Sequence, residues 1–120
     1  MQIETGLSDQ IARYVDLAAT QAKLTAANMA NIDTPGYRAV GMDFVAEMRE
    51  AMSAVDQGRA ARQARVKLVD GLIARPDGND VSMDRESLNL AEAQLKYKTG
   101  VALLKGSYQQ IMDAIHAPDK

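Results

Sequence analysis

Residues 28–37 read Asn-Met-Ala-Asn-Ile-Asp-Thr-Pro-Gly-Tyr and follow an alanine-rich run with helical character. Asn28 and Asn31 lie one helical turn apart, although asparagine is a poor helix former because its side chain competes for backbone hydrogen bonds. Pro35 fixes the first corner of a turn, and Gly36 can adopt the positive φ that the second corner of a type II turn requires. This stretch therefore predicts the end of a long helix and a sharp change of chain direction.

The composition favours paired helices over a thick globular core. The chain has 120 residues, of which 47% are hydrophobic, but it contains one Phe, four Tyr and no Trp. Large aromatic side chains are the usual anchors of a thick core, whereas aliphatic side chains of moderate size suit helix seams. Sixteen acidic and fourteen basic residues give a net charge of −2, which argues against nucleic-acid binding. Because the chain has no cysteine, disulfides and thiolate metal sites are excluded.

The first segment, residues 1–34, is predicted to be helical from about Ser8 to Asn31, with Ser8 or Asp9 as its N-cap. Its apolar residues follow heptad spacing, but the stripe is interrupted by polar side chains. A helix of this length with an only partly apolar face needs neighbours to be stable.

The last segment, residues 81–120, has a clearer pattern. Ser82 is the expected N-cap, and Gly100 and Gly106 inside the helix indicate either close approach of a packed helix or slight bending. Apolar residues recur every seven positions from Met83 to Ile111, and the positions four further on are Ser87, Gln94, Val101, Tyr108 and Ile115. This alternation of four and three over more than four heptads is typical of a coiled-coil seam. The predicted seam consists of Met83, Leu90, Tyr97, Val101, Leu104, Tyr108, Ile111 and Ile115.

Residues 35–80 form an irregular middle segment between the two helices. Phe44 and Met48 begin a short amphipathic helix that is predicted to end near Gly58. Residues 66–73 contain an Asp-Gly pair between two short apolar runs, which indicates a β-hairpin. The predicted fold class is therefore mainly α, with long N- and C-terminal helices paired as a coiled coil in one structural unit.

The run at residues 27–31, followed by Thr34, Pro35, Gly36 and Tyr37, resembles the N-terminal signature of the bacterial flagellar rod and hook family. A helix that simply ends at Pro-Gly would account for the turn but not for two asparagines inside the helix. We therefore assign Asn28, Asn31 and the four turn residues to the family motif and to assembly.

A second motif is similar to that of proximal-rod members of this family. It comprises residues 77–81, Glu86, residues 90–92 and residues 94–97. Members often carry Asn and Arg where this chain has Ala93 and Lys96, so the match is close but incomplete. The two motif regions, residues 27–37 and 77–97, span about a quarter of the chain.

The resemblance implies a structural subunit of the flagellar basal-body rod. Its terminal helices would pair within one subunit and pack beside other rod subunits, including copies of itself, in a helical tube. This tube crosses the periplasm, transmits motor torque and supports motility. The implied partners also include the flagellar export gate and inner-membrane ring components. In this interpretation Asn28 and Asn31 hydrogen-bond across the helix pair or to the turn and so set its register.

The resemblance also changes the expected location. Residues 1–6 have neither the basic nor the apolar region of a cleaved secretory signal, and no run approaches the roughly 18 apolar residues of a transmembrane helix. Taken alone, this pattern predicts a cytoplasmic protein. Rod proteins, however, leave the cell by type III export without a cleaved signal, and we expect the same of this chain.

Phe44 and Met48 have a second interpretation. An aromatic residue followed four positions later by an apolar residue is similar to the short element by which rod and hook substrates dock on the export gate. The alternative is that both residues are merely one face of a short helix. A basic stretch, formed by Arg59, Arg62, Arg65 and Lys67, is either a solvated surface or a contact for phospholipid or an acidic partner.

No residues are assigned to catalysis, to a cofactor or to a metal, and no small-molecule substrate is expected. His116 is the only histidine, and neither a nucleophile–histidine arrangement nor a glycine-rich phosphate loop is evident. Residues 77–82 lack the spacing of a calcium-binding EF-hand loop. Two alternatives to a proximal-rod subunit remain: another rod or hook-family axial protein, and a cytoplasmic coiled-coil adaptor or secretion chaperone.

Overall fold

The computed structural model describes residues 2–117, within which the chain forms three helices and one small antiparallel sheet. The elements are α1 (Gln2–Ala30), β1 (Val40–Gly41), α2 (Phe44–Asp56), β2 (Lys67–Leu68) and α3 (Met83–Ile115). The predicted class is confirmed, since long terminal helices flank a shorter helix and irregular chain. Residue 1 and residues 118–120, which the predicted terminal segments include, lie outside the described residues.

The two long helices pack antiparallel along their length. The Oγ atoms of Ser8 and Ser107 lie 3.3 Å apart near one end, and the Lys96 ammonium donates to the Gln21 amide oxygen farther along. The described chain extends 73 Å in its longest dimension and 16 Å in its shortest. It is therefore a thin, elongated subunit rather than a globule.

Gly100 is where α1 and α3 approach most closely among the glycines of α3. A Cβ atom there would lie 2.5 Å from Val15 Cγ2 and 3.0 Å from Tyr14 Cδ1, whereas a Cβ at Gly106 would meet nothing within 4 Å. Of the two interpretations of these glycines, close approach therefore applies to Gly100, and Gly106 has no such neighbour.

The start of α1 differs from the prediction. The helix begins at Gln2, so Ser8 and Asp9 lie inside it and cap nothing. Gly6 does not stop the helix, although glycine costs about 1 kcal/mol relative to alanine in a helix interior. Its surroundings give a reason, because α2 packs there and a Cβ on Gly6 would lie 3.8 Å from Val55 Cγ1. Packing against α2 thus allows the helix to continue through Gly6, before the predicted start at Ser8 or Asp9.

The shorter helix and the start of α3 are set by local signals. The Asp43 carboxylate accepts a hydrogen bond from the Ala46 N–H, which caps α2. At the other end Gly58 has a φ of +67°, and the Arg59 N–H donates to the Ala54 carbonyl, as in a glycine-terminated helix. Ser82 caps α3 by accepting from the Arg85 N–H, which confirms the predicted N-cap.

The β-hairpin predicted at residues 66–73 is wrong. β2 pairs instead with β1, with Val40 opposite Leu68 and Gly41 opposite Lys67. Residues after the Asp-Gly pair supply only two apolar positions before Pro76, which is too short a run for a second strand. β1, by contrast, is held beside α1 and offers β2 a fixed edge, so the pairing is long-range.

The buried apolar core is small. Its members are Leu17, Ala18, Ala39, Ala51, Ala54, Val81 and Ala93, so Leu17 is the only large aliphatic side chain that is fully buried among the described residues. Alanines allow helices to approach closely but bury little apolar area each. The subunit therefore has limited apolar burial of its own, and much of its apolar surface remains open.

Candidate assembly site

The turn after α1 agrees with the pattern of Pro35 and Gly36. The Tyr37 N–H donates to the Thr34 carbonyl at 3.2 Å, and Gly36 has a φ of +75°, as the third residue of a type II turn requires. The Gly36 N–H donates to the Asp77 carbonyl at 2.8 Å. The turn is therefore bonded to the loop that precedes α3.

Asn28 is fully buried and joins α1 to β1. Its amide nitrogen donates to the Val40 carbonyl at 2.8 Å, and its amide oxygen accepts from the Val40 N–H at 3.0 Å. The same oxygen accepts from the Tyr37 hydroxyl at 3.2 Å. Asn28 thus pairs with one edge of β1 as a backbone peptide would, while β2 pairs with the other edge. A leucine or alanine here would leave both polar groups of Val40 without these partners.

Asn31 closes the end of α1. Its amide nitrogen donates to the Ala27 carbonyl at 2.8 Å, and its amide oxygen accepts from the Thr34 hydroxyl at 3.1 Å. Of the two expected arrangements, Asn28 and Asn31 adopt the one in which they bond toward the turn. Neither amide donates to or accepts from α3, so a register role across the helix pair does not apply within this subunit.

Asn79 makes the link between the two helices that was expected of the α1 asparagines. It is fully buried, and its amide nitrogen lies within 3.1 Å of the carbonyl oxygens of Asn31, Ile32 and Thr34. Its amide oxygen accepts from the Val81 N–H at 2.8 Å. The carbonyls at the end of a helix have no partners within the helix, so this side chain acts as their donor from the start of α3.

Two charged residues reinforce this contact. The Arg75 guanidinium donates to the carbonyls of Ile32 and Val81, which places a cation near the negative end of the α1 dipole. The buried Asp80 carboxylate accepts from the Ala39 N–H at 2.6 Å and lies 3.9 Å from Arg38 Nε. We call the residues Asn28, Asn31, Tyr37, Arg75, Asn79 and Asp80 the hinge network.

Sequence reasoning did not assign Arg75, Asn79 or Asp80 to a site. Residues 77–81 belong to the second family motif, and the pattern of residues 77–82 predicts a turn before a helix cap rather than a calcium loop, but neither interpretation gives these side chains partners. The available signal was the density of Asx residues next to a helix start, since such side chains commonly bond nearby backbone. Asn79 and Arg75 do bond locally to Val81, but the partners that join these residues to α1 and β1 lie more than forty positions away in the chain, and no local pattern identifies them.

The basic stretch contacts α1 and α2 rather than standing free. The Arg62 guanidinium lies 2.9 Å from the buried Glu47 carboxylate, which also accepts from the Arg65 N–H at 3.2 Å. Arg13 of α1 donates to the Arg62 carbonyl at 2.8 Å. Residues 57–66, which we call the strap, are thus fastened to two helices. Arg62 is therefore part of neither a fully solvated surface nor a free lipid-binding patch, the two interpretations that the sequence allowed.

A second ion pair fastens the strap at the end of α2. The Arg59 guanidinium bonds to the Glu50 carboxylate. This hydrogen bond lowers the pKa of Glu50, and the nearby charges of Arg59 and Arg62 act in the same direction against desolvation. The carboxylate is therefore held in its charged form to lower pH than a free glutamate would be.

Phe44 lies at the junction of the three helices. Its ring contacts the Tyr14 ring edge-to-face, with a centroid separation of 5.3 Å, and the Lys96 ammonium lies 4.0 Å from its centroid. Met48, one turn later, is half-buried. In the folded subunit Phe44 therefore has a packing role.

The predicted α3 seam is divided between the interior and the surface. Leu90, Leu104 and Ile111 are half-buried, and so is Ser107, whereas Glu86, Ala93 and Gly100 are buried. Of these, Gly100 and Ser107 lie directly against α1. Of the predicted set, Val101 is half-buried, whereas Met83, Tyr97, Tyr108 and Ile115 are exposed. Every second position of the seam within the subunit therefore lies one residue earlier in the chain than predicted. The small residues among these positions let α1 approach the α3 backbone closely.

The exposed apolar side chains of α3 are numerous for one helix. Tyr108 is 57% exposed and Ile115 is 67% exposed, and six more large apolar residues of α3 are similarly open. They are Met83, Leu88, Leu95, Tyr97, Leu103 and Met112. Exposed apolar side chains in this number on one helix favour a protein–protein contact.

Other classes of site find little support in residues 2–117. No three of the His, Asp and Glu side chains there are grouped so that they would hold a metal ion. None of the helices in that range has both the length and the apolar character needed to cross a bilayer.

Comparison with curated proteins finds relatives along most of the chain. The flagellar basal body rod protein FlgB of Cereibacter sphaeroides is 34% identical over 125 residues, covering 92% of this chain and 97% of that protein. FlgB of Yersinia ruckeri is 33% identical and covers 84% of this chain and 87% of that protein. FlgB of Salmonella typhimurium is 32% identical, with coverage of 84% and 86%. No family model matches the chain.

Proposed function

This chain belongs to the FlgB family of flagellar basal body rod proteins, and on that premise we propose that it is a structural subunit of the proximal rod. In this role it assembles with other rod subunits into a helical tube that transmits motor torque and contributes to motility. The relatives match nearly their full length, so the proposal concerns the whole protein rather than one shared helix.

The observation that carries the proposal, beside the relatives, is the open apolar surface of α3. Eight large apolar residues of α3 are exposed, and the core consists mostly of alanine. The single subunit therefore leaves much apolar surface uncovered. Neighbouring subunits would cover this surface, as obligate assemblies do. A catalytic role would instead call for a cavity with converging polar groups.

The hinge network supports the mechanical part of the proposal. A subunit that transmits torque must not bend where its two long helices meet. Asn79 and Arg75 fasten the last carbonyls of α1 to the start of α3, and Asn28 fastens α1 to β1. These three bonds are part-buried, which reduces the competition from water.

The direct test is the location of the protein in a flagellated cell. A strain that lacks this chain should not swim, and the full-length chain supplied in trans should restore swimming and be found by mass spectrometry in purified hook–basal bodies. Recovery of the complementing chain only from the cytosol would contradict the proposal and favour a cytoplasmic adaptor or secretion chaperone.

We further infer that the chain is exported without a cleaved signal and that Phe44 and Met48 contact the export gate. Because Phe44 also packs against Tyr14, loss of secretion in Phe44→Ala could reflect either role. Tyr14→Ala is a matched control, since it removes the same folded contact and leaves the short element intact. Reduced secretion of Phe44→Ala alone is expected; equal secretion of both variants would contradict a gate contact. We also propose that the chain contacts inner-membrane ring components of the basal body.

A further inference from the structure

The outward sides of α1 and α3 each carry a stripe of residues that includes charged side chains. Contacts within the subunit engage these charged side chains only in part. On α1 the stripe consists of Asp9, Ala12, Asp16, Ala19 and Lys23, and on α3 it consists of Ala91, Leu95, Lys98, Ala102 and Lys105. Within each stripe the residues are spaced alternately by three and four, so each stripe lies along one side of its helix. Nine of the ten residues are exposed, and Ala19 is half-buried.

Apart from Lys23, the charges of the two stripes are opposite in sign and equally spaced. Asp9 and Asp16 are seven residues apart on α1, and Lys98 and Lys105 are seven residues apart on α3, which is about 10 Å in each helix. Neither lysine forms an ion pair within residues 2–117. One oxygen of Asp16 is bonded to Arg13, but the side chain remains 67% exposed and has a second oxygen available.

The register of the helix pair shows how these charges would meet. Inside the subunit Ser8 of α1 faces Ser107 of α3, and Tyr14 and Val15 face Gly100. If α1 of another copy lies along the outer side of α3 in this same antiparallel register, to within one residue, the acidic stripe opposes the basic one. The resulting pairs are Asp9 with Lys105, Ala12 with Ala102, Asp16 with Lys98, Ala19 with Leu95, and Lys23 with Ala91.

These pairs are compatible in both charge and size. Each aspartate meets a lysine, and no like charges meet. Leu95, which is 68% exposed, meets the small Ala19, so a large side chain lies opposite a small one. A shift of one heptad in one direction would place Lys23 opposite Lys98, two like charges. A shift in the other direction would place Asp16 opposite Ala91, so this aspartate would lose its lysine partner.

We propose that the outer stripe of α1 in one copy of this chain binds the outer stripe of α3 in the next copy, edge to edge and with little axial displacement. The contact is heterologous, because each subunit uses two different surfaces. Such a contact repeats in an open array instead of closing as a two-fold dimer. The proposal rests on the proposed rod function and specifies which surfaces of the subunits meet.

Cysteine cross-linking tests the register directly, because the native chain contains no cysteine. In the double variant Asp16→Cys/Lys98→Cys, the two thiols of one subunit point away from each other, so a disulfide can form only between subunits. Oxidation of hook–basal bodies that contain this variant should give a ladder of covalent dimers and larger oligomers. The control Asp16→Cys/Ala91→Cys, displaced by seven residues along α3, should give no ladder.

Each outcome bears on one of the two proposals. If the unaltered chain is absent from basal bodies, the rod function itself fails. If the double variant is present there but gives no ladder, or if the control gives the same ladder, the edge-to-edge contact is overturned and the rod function stands.

Charge exchange provides a second measurement in case the cysteine variant is not incorporated. Lys98→Asp/Lys105→Asp should lose most swimming, and Asp9→Lys/Asp16→Lys should do the same. All four changes in one chain should restore most of the lost swimming, because the pairs re-form with reversed sign. Failure of the four-fold variant to exceed either parent, when all chains are secreted equally, overturns the proposal.

Discussion

At the residue scale, Gly100 sets the distance between the two long helices. Nothing larger fits beside Val15 and Tyr14 without movement of one helix, since a Cβ would lie 2.5 Å from the Val15 methyl carbon. The helix therefore tolerates a residue of poor helix propensity because close packing against α1 requires it.

Alanine at the two glycines of α3 should have opposite effects. Gly100→Ala should lower the free energy of unfolding by about 1–3 kcal/mol, because overpacking outweighs the gain in helix propensity. Gly106→Ala, at a position with open space, should raise it by up to about 1 kcal/mol. Urea unfolding followed by circular dichroism measures both, and a change of the same sign in the two variants would contradict this account.

Asn79 is the residue on which the junction of α1 and α3 most depends. Asn79→Ala removes the donor to three carbonyls and should cost about 2–3 kcal/mol of unfolding free energy, as expected for buried groups left unpaired. Asn89→Ala is the matched control, because that half-buried amide in α3 forms no side-chain hydrogen bond within the described residues. Equal thermal stability of the two variants would show that the Asn79 bonds contribute little.

At the scale of elements, the strap is held by ion pairs rather than by apolar contacts. It has no regular secondary structure, and most of its side chains are exposed. Its attachment depends on Glu47, which is almost fully buried and needs a cation beside it. The strap is therefore expected to be the part of the middle segment that is most sensitive to changes of charge.

Removal of the Arg62 side chain should release the strap. Arg62→Ala leaves the Glu47 carboxylate buried without its cation and should cost up to about 3 kcal/mol, less than a fully buried pair because Arg62 is partly exposed. Arg65→Ala is the control, since Arg65 contributes only its backbone N–H to Glu47. Limited proteolysis between residues 57 and 66 should accelerate in the first variant only; equal cleavage rates would rule out a specific role for the ion pair.

At the scale of the whole molecule, the subunit is thin and its core is small. Eight large apolar residues of α3 remain exposed, and only alanines accompany Leu17 and Val81 in the described core. Marginal burial of this kind stabilises a long helix pair weakly, so contacts with neighbours should supply much of the remaining stability.

The isolated chain should accordingly be less helical in dilute solution than in the assembled state. We expect circular dichroism of the dilute monomer to show less helix than the three helices of the structure require, and helicity to rise with protein concentration. Full helicity at the lowest measurable concentration, without dependence on concentration, would contradict this expectation.

The amino-acid sequence by itself determined the class of fold, because the signals for it are local. Apolar periodicity predicts α3, the Ser82 cap predicts where it begins, and the Pro-Gly pair predicts the turn at its observed place. The family resemblance was likewise visible from the two motifs alone.

Only the tertiary structure decided which side of each helix meets which partner. The heptad pattern of α3 identifies apolar positions, but it does not distinguish residues that face α1 from residues that remain open to a neighbouring subunit. Gly100 and Ser107 lie in the seam because small side chains permit close approach, whereas Tyr108 and Ile115 lie outside it. The pairing of β1 with β2 and the bonds of Asn79 join residues far apart in the chain, so they depend on packing that no local pattern records.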